Sequence, residues 1–141
     1  MLIHLLYISH RSQNCTDLEI KNILQSCQKN NPSIGITGVL MYSEKKFLQY
    51  VEGDSTNIFQ LYEKIKADSR HNNLALISLT TIQERIFPNW NMGKKQVSSK
   101  EIDYLTELTK EDREIFDKMI DENLAQGHKV QKALNALFNQ L

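Results

Sequence analysis

Hydrophobic and polar residues follow two different periods in the first part of the chain. Over residues 2–9, apolar side chains occupy both alternating sets of positions, which is typical of a strand covered on both faces. From Thr16 to about residue 30 they recur at helical spacing, and Thr16 with Glu19 has the form of a capping box. Asn31-Pro32 should end this helix, because the residue before a proline resists helical geometry. The pattern therefore predicts a central strand followed by an amphipathic helix.

Residues 35–97 repeat this pattern with an extra strand inserted. Strand-favouring runs at 35–43 and 45–52 are separated by a short polar link, which predicts an antiparallel hairpin. A second amphipathic helix should begin at Asp54-Ser55-Thr56 and end near residues 70–73. A fourth strand is predicted at 74–82 and a short fifth at 91–97. The β-α-β-β-α-β order with a fifth strand predicts an α+β, ferredoxin-like sandwich with both helices on one sheet face.

The tail, residues 98–141, shows helical periodicity. Ser98 and Glu101 form another capping box, and Gly127 separates two apolar stripes. The stripes consist of Ile115, Phe116, Met119 and Ile120, and then of Val130, Ala133, Leu134, Leu137, Phe138 and Leu141. Because such stripes must be buried, we expect the tail to cover the sheet face opposite the two helices. Residues 1–97 would then form one domain and 98–141 a C-terminal helical extension, buried within one chain or serving as a homo-oligomer contact.

Composition narrows the classes of partner. The chain has 141 residues, a formal net charge of +0 and 40% hydrophobic residues, which is ordinary for one compact domain. A neutral chain gives no sign of the clustered basic surface expected of a nucleic-acid or anionic-membrane binder. No apolar run reaches the roughly 18 residues of a membrane span, and no secretory leader is evident. Cys15, Cys27 and the scattered histidines form no metal-ligand spacing, so we expect a cytoplasmic protein with free thiols and no metal.

Two polar side chains interrupt the apolar faces of the predicted central strands. Gln49 shares its strand face with Phe47 and Val51, and Tyr7 lies among apolar residues of the first strand. Buried amide and phenol groups need partners, and strands one and three are neighbours in this fold, so Tyr7 and Gln49 can face each other. We expect both on the helix side, where polar residues at the helix ends surround the same gap: Asn31, Asp68, Arg70 and His71. From the residues alone, an internal core hydrogen bond and a ligand between the helices both stay open.

Five short motifs, taken together in their order, point to a family. They are LLYISH around Tyr7, NNPSIGITGVL from residue 30 to 40, FLQYVEG from 47 to 53, KADSRH from 66 to 71, and FPNWNM from 87 to 92. Each motif alone is weak, but five in order at matching spacing are specific. Over residues 1–97 the chain resembles the BLUF family of blue-light sensors that use flavin.

The resemblance implies that a flavin ring lies between the two helices. FAD is the cofactor expected for the family, with FMN and riboflavin left open. The residues that match ring-contacting positions are Ile23, Asn30, Asn31, Lys64, Ile65, Asp68, Arg70 and His71. Tyr7 and Gln49 match the photochemical tyrosine and the switch glutamine, and Trp90 and Met92 match a signal-relay pair on strand five. Cys27 and Lys64 depart from the serine and arginine that several members carry.

The resemblance also implies how such a protein works. Light drives transfer of an electron and then a proton from the tyrosine to the flavin, and recombination leaves the glutamine in a new hydrogen-bonding arrangement. No substrate is turned over, so the expected protein is not an enzyme, and its helical extension would signal to a separate protein partner. A light-insensitive interaction module on the same fold is the alternative. A hydrolase of the acylphosphatase type is disfavoured, because no glycine-rich phosphate loop accompanies Arg11.

Overall fold

The computed structural model describes residues 1–96 together with Ser98 and Lys100. Its elements are, in order, β1 (Leu2–Arg11), α1 (Asp17–Ile34), β2 (Thr37–Tyr42), β3 (Lys46–Asp54), α2 (Ser55–Ala67), β4 (His71–Thr81) and β5 (Gly93–Gln96). Apart from the two residues named, the predicted helical tail at 98–141 lies outside the described part of the chain, and so does its predicted place on the sheet.

The strands form one sheet in the order β4-β1-β3-β2-β5. β1 pairs antiparallel with β3 and β4, β2 pairs antiparallel with β3, and β5 runs parallel to β2. This is the ferredoxin-like α+β arrangement predicted from the element order, with the fifth strand added beyond β2. Tyr7 lies directly opposite Gln49 in the β1–β3 ladder, as the strand order requires.

Each face of the sheet carries its own hydrophobic cluster. On one face, here called the helix face, Ile20 and Leu24 of α1 and Ile58 of α2 pack with strand residues such as Leu5 and Val51. Both helices therefore lie on the same face, as predicted. The opposite face carries a separate cluster formed by Leu6, Val39, Met41, Leu48, Tyr50 and Phe87. Alternation along β1 and β3 divides neighbouring side chains between the two clusters, which explains why these strands are apolar on both sides.

Two local predictions were confirmed. Thr16 is the N-cap of α1, and its hydroxyl accepts the backbone N–H of Glu19 at 3.3 Å. β2 and β3 form the expected antiparallel hairpin, closed by the bond from the Ser43 N–H to the Lys46 carbonyl oxygen at 2.9 Å. In both places the signal is local, so the sequence was sufficient to find it.

Helix α1 continues through Pro32 to Ile34, so the prediction that Asn31-Pro32 would end it was wrong. A proline in the last turn removes only one backbone donor. The helix is closed instead by Gly35, whose φ of 64° allows its N–H to point at the Asn31 and Pro32 carbonyl oxygens. The added turn keeps Asn31 inside the helix, where it is 2% exposed.

The boundary between α2 and β4 also differs from the prediction. α2 ends at Ala67 rather than near residues 70–73, and β4 begins at His71 rather than at residue 74. The polar stretch at the start of β4 has little strand propensity, yet His71 and Asn72 pair with Arg11 and His10 of β1. Pairing with a neighbouring strand therefore overrides local preference here, and His71 lies on a strand rather than at a helix end.

Trp90 and Met92 lie before strand five and not on it, which corrects the predicted strand at 91–97. β5 spans Gly93–Gln96 and begins where Gly93 pairs with Val39 of β2, whereas the carbonyl oxygen of Asn91 accepts a hydrogen bond from the side chain of Asn31 on α1. Residue 97 lies outside the described chain. We call residues 82–92 the connector, since they join the outer strands β4 and β5. The bond from the Gly38 N–H to the Trp90 carbonyl oxygen, at 2.9 Å, attaches the end of the connector to β2.

Candidate functional site

A cavity of about 200 Å³ lies between the two helices and the helix face of the sheet. Every residue predicted to contact the cofactor or to carry the photochemistry lines this cavity. These residues are Tyr7, Ile23, Asn30, Asn31, Gln49, Lys64, Ile65, Asp68, Arg70 and His71. The central strands supply its floor and the helices its walls, because each element turns one periodic set of side chains towards the same space.

The floor of the cavity is a buried tyrosine–glutamine pair. Tyr7 is 1% exposed and Gln49 is 3% exposed, and the Tyr7 hydroxyl donates to Gln49 Oε1 at 2.5 Å. Burial raises the pKa of Tyr7 well above its usual value, with smaller contributions from Cys27 and Asp68. The phenol therefore keeps its proton at neutral pH and acts as a hydrogen-bond donor.

The other end of the Gln49 amide faces the connector. Its Nε2 donates to Met92 Sδ at 3.4 Å, and Met92 is 3% exposed. A thioether is a weak acceptor, so the nitrogen end of the amide is held less firmly than the oxygen end. Trp90 is 38% exposed, stacks on Phe87 with the ring centroids 5.3 Å apart, and lines an outer groove with Met92 and Gly93. Of the predicted relay pair, Met92 thus contacts Gln49, whereas Trp90 lies farther out.

Asn31 joins helix α1 to the connector. Its side-chain Nδ2 donates to the carbonyl oxygen of Asn91 at 3.1 Å, and its backbone carbonyl accepts the Ile36 N–H at 3.1 Å. The bond from Nδ2 orients the carboxamide, so Oδ1 is left to accept a hydrogen bond from a ligand. Asn30 is exposed at the rim of the cavity, where its Nδ2 donates to the Ser26 hydroxyl at 3.3 Å.

An ion pair lies at the edge of the cavity beyond α2. The Arg70 Nη2 is 2.5 Å from Asp68 Oδ2, and its Nε is 2.9 Å from Asp68 Oδ1. The Arg70 guanidinium lowers the pKa of the Asp68 carboxyl group, and it also lies 3.6 Å from the carboxylate of Glu19 on α1. Arg70 therefore connects the two walls of the cavity. Lys64 is exposed on α2 and adds a positive charge at the rim.

His71 enters the cavity from the first residue of β4. Its Nδ1 lies 2.8 Å from the Ser9 hydroxyl, and its ring centroid is 6.0 Å from that of Tyr7 and 4.7 Å from that of Phe47. Burial lowers the pKa of His71, so the imidazole is neutral at pH 7. It shapes the surroundings of Tyr7 as a neutral aromatic ring.

Five cavity-lining residues were not among the predicted site residues. They are Ser26, Cys27, Ile34, Leu40 and Leu61. Four of them stand at helical spacing from Ile23 or Ile65, so the helix period could have located them. Leu40 carried no such signal, because it arrives through its pairing with Gln49 in the β2–β3 ladder. Burial raises the pKa of Cys27 to about 11, which keeps this residue as a neutral thiol.

The lining suits a flat conjugated ring with a polar edge. Ile23 and Ile65 present apolar surface from the two helices, while Asn31 and Gln49 present amide groups. A flavin ring is apolar on its faces and carries carbonyl and N–H groups along one edge, so it fits this set of side chains. Within the described residues, no group of three or more His, Cys, Asp or Glu side chains could hold a metal ion. In the same part of the chain, no helix has the length and apolarity needed to cross a membrane.

The chain is similar in sequence to light-regulated proteins. It is 33% identical over 92 residues to photoactivated adenylate cyclase subunit beta of Euglena longa, which covers 64% of this chain and 11% of that protein. It is 34% identical over 86 residues to photoactivated adenylate cyclase subunit alpha of Euglena gracilis, covering 61% of this chain and 8% of the relative. The chain thus spans about a tenth of the length of these curated relatives.

Solved structures share its fold. The dark-state structure of BlrB, a BLUF protein, matches with a TM-score of 0.66 at 32% identity and covers 94% of this chain and 96% of that one. The photo-activated state of BlsA matches with a TM-score of 0.68 at 30% identity, covering 78% and 80%. The family model for BLUF domains, sensors of blue-light using FAD, matches residues 2–93. The chain therefore belongs to the BLUF family of blue-light sensors.

Proposed function

We propose that this chain senses blue light through a flavin held between α1 and α2, with Tyr7 and Gln49 as the photochemical pair. The observation that carries the proposal is the hydrogen bond from the Tyr7 hydroxyl to Gln49 Oε1, 2.5 Å long and buried at the floor of the cavity. It places a phenol, which can lose an electron and a proton, beside an amide, which can exchange its donor and acceptor ends. FAD is the proposed flavin.

The side chains of the cavity support burial of the ring alone. A volume of about 200 Å³ is below the roughly 300–1,000 Å³ of pockets that enclose a whole drug-sized ligand. Ile23 and Ile65 would contact the ring faces, and the Asn31 oxygen would accept its N–H. The rest of the cofactor would then extend past Asn30 and Lys64 towards solvent, so FMN and riboflavin would compete for the same ring site. Asp68, Arg70 and His71 would complete the edge of the site.

A bound flavin supplies an electron acceptor that is activated by light. Tyr7 would give up an electron and then the proton on its hydroxyl oxygen to the bound flavin, and both would later return to Tyr7. Burial raises the pKa of Tyr7, so this proton is present in the dark. While Tyr7 lacks the proton, Gln49 Oε1 has lost its donor, and rotation of the amide would allow Nε2 to donate to the Tyr7 oxygen instead.

Rotation of Gln49 would release Met92. In the present arrangement Nε2 donates to Met92 Sδ at 3.4 Å. After rotation the amide oxygen would face the sulfur, which has no hydrogen to donate. Because Met92 directly precedes β5, we propose that the change passes through the end of the connector to residues 98–141.

The proposed output is a contact with a separate protein. Residues 98–141 lie outside the described part of the chain, and we propose that they form the extension that binds this partner, alone or as a homo-oligomer. The relatives named as cyclase subunits are much longer, and the chain spans 11% of the first of them. We therefore propose no substrate turnover by this domain. The free thiols of Cys15 and Cys27 support a cytoplasmic location.

The test is the visible spectrum of the purified full chain in the dark and after blue light. We expect flavin absorption that shifts slightly to the red under light and returns in the dark. Flavin absorption without a shift would support the light-insensitive interaction module instead. Failure to bind FAD, FMN or riboflavin would overturn the proposal.

Two phenol substitutions make the test specific. Tyr7→Phe removes the hydroxyl that bonds Gln49, so the variant should bind flavin and lose the red shift. Tyr62→Phe is the matched control, because its ring centroid lies 6.3 Å from that of Tyr7 but its hydroxyl is not part of the pair. The control should shift normally. A normal shift in Tyr7→Phe would remove Tyr7 from the proposed photochemistry.

A further inference from the structure

Glu52 follows Gln49 by three positions on β3, so alternation places it on the opposite face of the sheet. Glu52 is 0% exposed. The Tyr50 hydroxyl donates to its carboxyl group at 2.7 Å, the Ile86 N–H at 2.8 Å and the Phe87 N–H at 3.1 Å. Both carboxyl oxygens are therefore occupied by donors, which favours a single arrangement of the side chain and of the backbone that it binds.

Both of these backbone donors belong to the first half of the connector, and an arginine beside them adds further bonds. Arg85 Nη1 donates to the Thr37 hydroxyl at 2.8 Å and to the carbonyl oxygen of Glu52 at 3.1 Å. Its Nη2 donates to the carbonyl oxygen of Gly35 at 2.6 Å. Residues 85–87 are thus bonded to β3, to β2 and to the C-cap of α1.

The second half of the connector is bonded to α1 and to β2: the carbonyl oxygen of Asn91 accepts Asn31 Nδ2 at 3.1 Å, and that of Trp90 accepts the Gly38 N–H at 2.9 Å. Met92 accepts from Gln49 Nε2 through its sulfur, at 3.4 Å, and Trp90 stacks on Phe87 with the ring centroids 5.3 Å apart. Gly93 has no side chain, and a Cβ there would collide with the indole of Trp90. The connector therefore has a first half bonded to the Glu52 carboxyl group on the opposite face, and a second half that lies next to the cavity and reaches Gln49 through Met92.

We propose that Glu52 is a positioning residue of the photoreceptor. It anchors the connector at Ile86 and Phe87, so that a rearrangement at Gln49 displaces Met92 and Trp90 relative to a fixed point. Without this anchor Ile86 and Phe87 could shift together with Met92, and a smaller part of the displacement would be transmitted to β5. The light-dependent part of this inference rests on the proposed function, whereas the anchoring itself does not.

The test uses the full chain and its single tryptophan, Trp90, as a reporter. Glu52→Gln keeps the shape of the side chain but replaces one acceptor oxygen with an amino group, which would face a donor. Loss of a buried acceptor should shift the equilibrium between anchored and released connector by roughly ten- to a hundred-fold. We expect the dark emission maximum and the near-UV circular dichroism of Trp90 to change, in the presence and in the absence of flavin.

The light-dependent readout separates positioning from stability. In Glu52→Gln the red shift of the flavin should be retained, because Tyr7 and Gln49 are untouched, while the light-induced change in Trp90 emission should fall several-fold. Glu63→Gln on α2 makes the same chemical change at a side chain that is 70% exposed, and it should behave like the wild type. If Glu52→Gln does not fold, Arg85→Gln removes three bonds from a half-buried side chain and should alter the same two Trp90 signals.

The remaining outcomes decide against the inference in different ways. A lower urea midpoint with unchanged Trp90 signals would give Glu52 a stabilising role alone and overturn the anchor. Loss of the red shift together with the Trp90 response would mean that Glu52 acts on the cavity itself, which also overturns it. If the wild type shows no red shift, the proposed function fails, and the dark Trp90 signals still decide whether Glu52 anchors the connector.

Discussion

The two faces of β3 bury polar side chains in opposite ways. On the helix face, Gln49 has one strong partner, the Tyr7 hydroxyl at 2.5 Å, and one weak partner, the Met92 sulfur at 3.4 Å. On the opposite face, Glu52 receives three donors at 2.7 to 3.1 Å. A group whose bonding positions are matched by strong partners has one favoured arrangement, whereas a weak partner at one end lowers the cost of a second. The Gln49 amide on the helix face can therefore adopt a second hydrogen-bonding arrangement at low cost. The Glu52 carboxyl group on the opposite face favours a single arrangement and holds the backbone that it binds. We call these the switching face and the holding face.

The two polar aromatic residues of β1, Tyr7 and His4, also lie on opposite faces of the sheet. Tyr7 faces the cavity with its hydroxyl bonded to Gln49, whereas His4 lies on the opposite face, where its Nε2 is 2.7 Å from the Ser78 hydroxyl. Burial raises the pKa of Tyr7 and lowers that of His4 to about 3, so both residues are neutral at pH 7. Tyr7 lines a cavity that a ligand can enter, while His4 lies edge-on to the Tyr50 ring at 5.2 Å between centroids. Burial thus has the same electrostatic result on both faces, and on the helix face the neutral group lines the cavity between the helices.

The largest expected effect comes from removing the switchable amide. Gln49→Leu keeps the volume of the side chain but has neither donor nor acceptor, so we expect flavin binding to persist and the light-induced red shift to disappear. The light-minus-dark difference spectrum measures this. Gln60→Leu, at an exposed position of α2, is the control and should keep the full shift. A normal shift in Gln49→Leu would remove Gln49 from the switch.

The second prediction compares how much the free energy of unfolding falls when a buried polar side chain is removed from each face. Glu52→Ala leaves the Tyr50 hydroxyl and two backbone N–H groups without their acceptor, so the free energy of unfolding should fall by about 3 kcal/mol or more. Gln49→Ala leaves one strong donor unpaired and should cost about 1–2 kcal/mol. Urea unfolding of both variants gives the values. Equal losses would contradict the distinction between a holding and a switching face.

The third prediction concerns pH and His4. The pKa of His4 is about 3 in the folded protein against a reference value of 6.5, so between these pH values the unfolded chain binds more protons than the folded chain. The free energy of unfolding should therefore fall by up to about 1.4 kcal/mol for each pH unit below 6.5, and His4 should add no pH dependence above that value.

Substitution isolates the contribution of His4 from that of other titrating groups. His4→Gln retains a partner for the Ser78 hydroxyl, and urea unfolding at pH 7 and at about pH 5 should show a shallower pH dependence than in the wild type. The prediction is wrong if His4→Gln and the wild type lose the same stability between the two pH values.

The smallest expected effect comes from replacing Met92, the weak partner of Gln49. Met92→Leu conserves volume, so it should change the free energy of unfolding by less than about 1.5 kcal/mol. It removes the sulfur that accepts from Gln49 Nε2, so the rate of dark recovery of the flavin spectrum should change by a few-fold at most. Met41→Leu makes the same substitution at a residue 0% exposed on the opposite face and should leave the recovery rate unchanged. An equal change in both variants would mean that core packing, and not the contact with Gln49, sets the rate.

Periodicity in the sequence was enough to predict which residues share a face. Alternation on β1 and β3 placed Tyr7 and Gln49 together on the helix side, and the strand order of the fold made them neighbours, as the β1–β3 ladder confirms. Asn31 in the last turns of α1 and Asp68 at the C-cap of α2 line the same cavity for the same reason. These features depend on spacing within one element and on the order of elements, both of which are local properties of the chain.

The tertiary structure alone decided the remaining features, because each depends on partners distant in sequence. β4 begins at His71 because the chain pairs there with Arg11, and α1 continues past Pro32 to a cap at Gly35. The connector holds Met92 against Gln49, although the sequence pattern predicted a strand at that position. The carboxyl group of Glu52 meets backbone donors 34 and 35 positions away, and no local pattern encodes a bond to a backbone N–H at such a separation. The sequence by itself thus determined the faces and the family, and the folded chain decided which hydrogen-bond partners each buried polar group has.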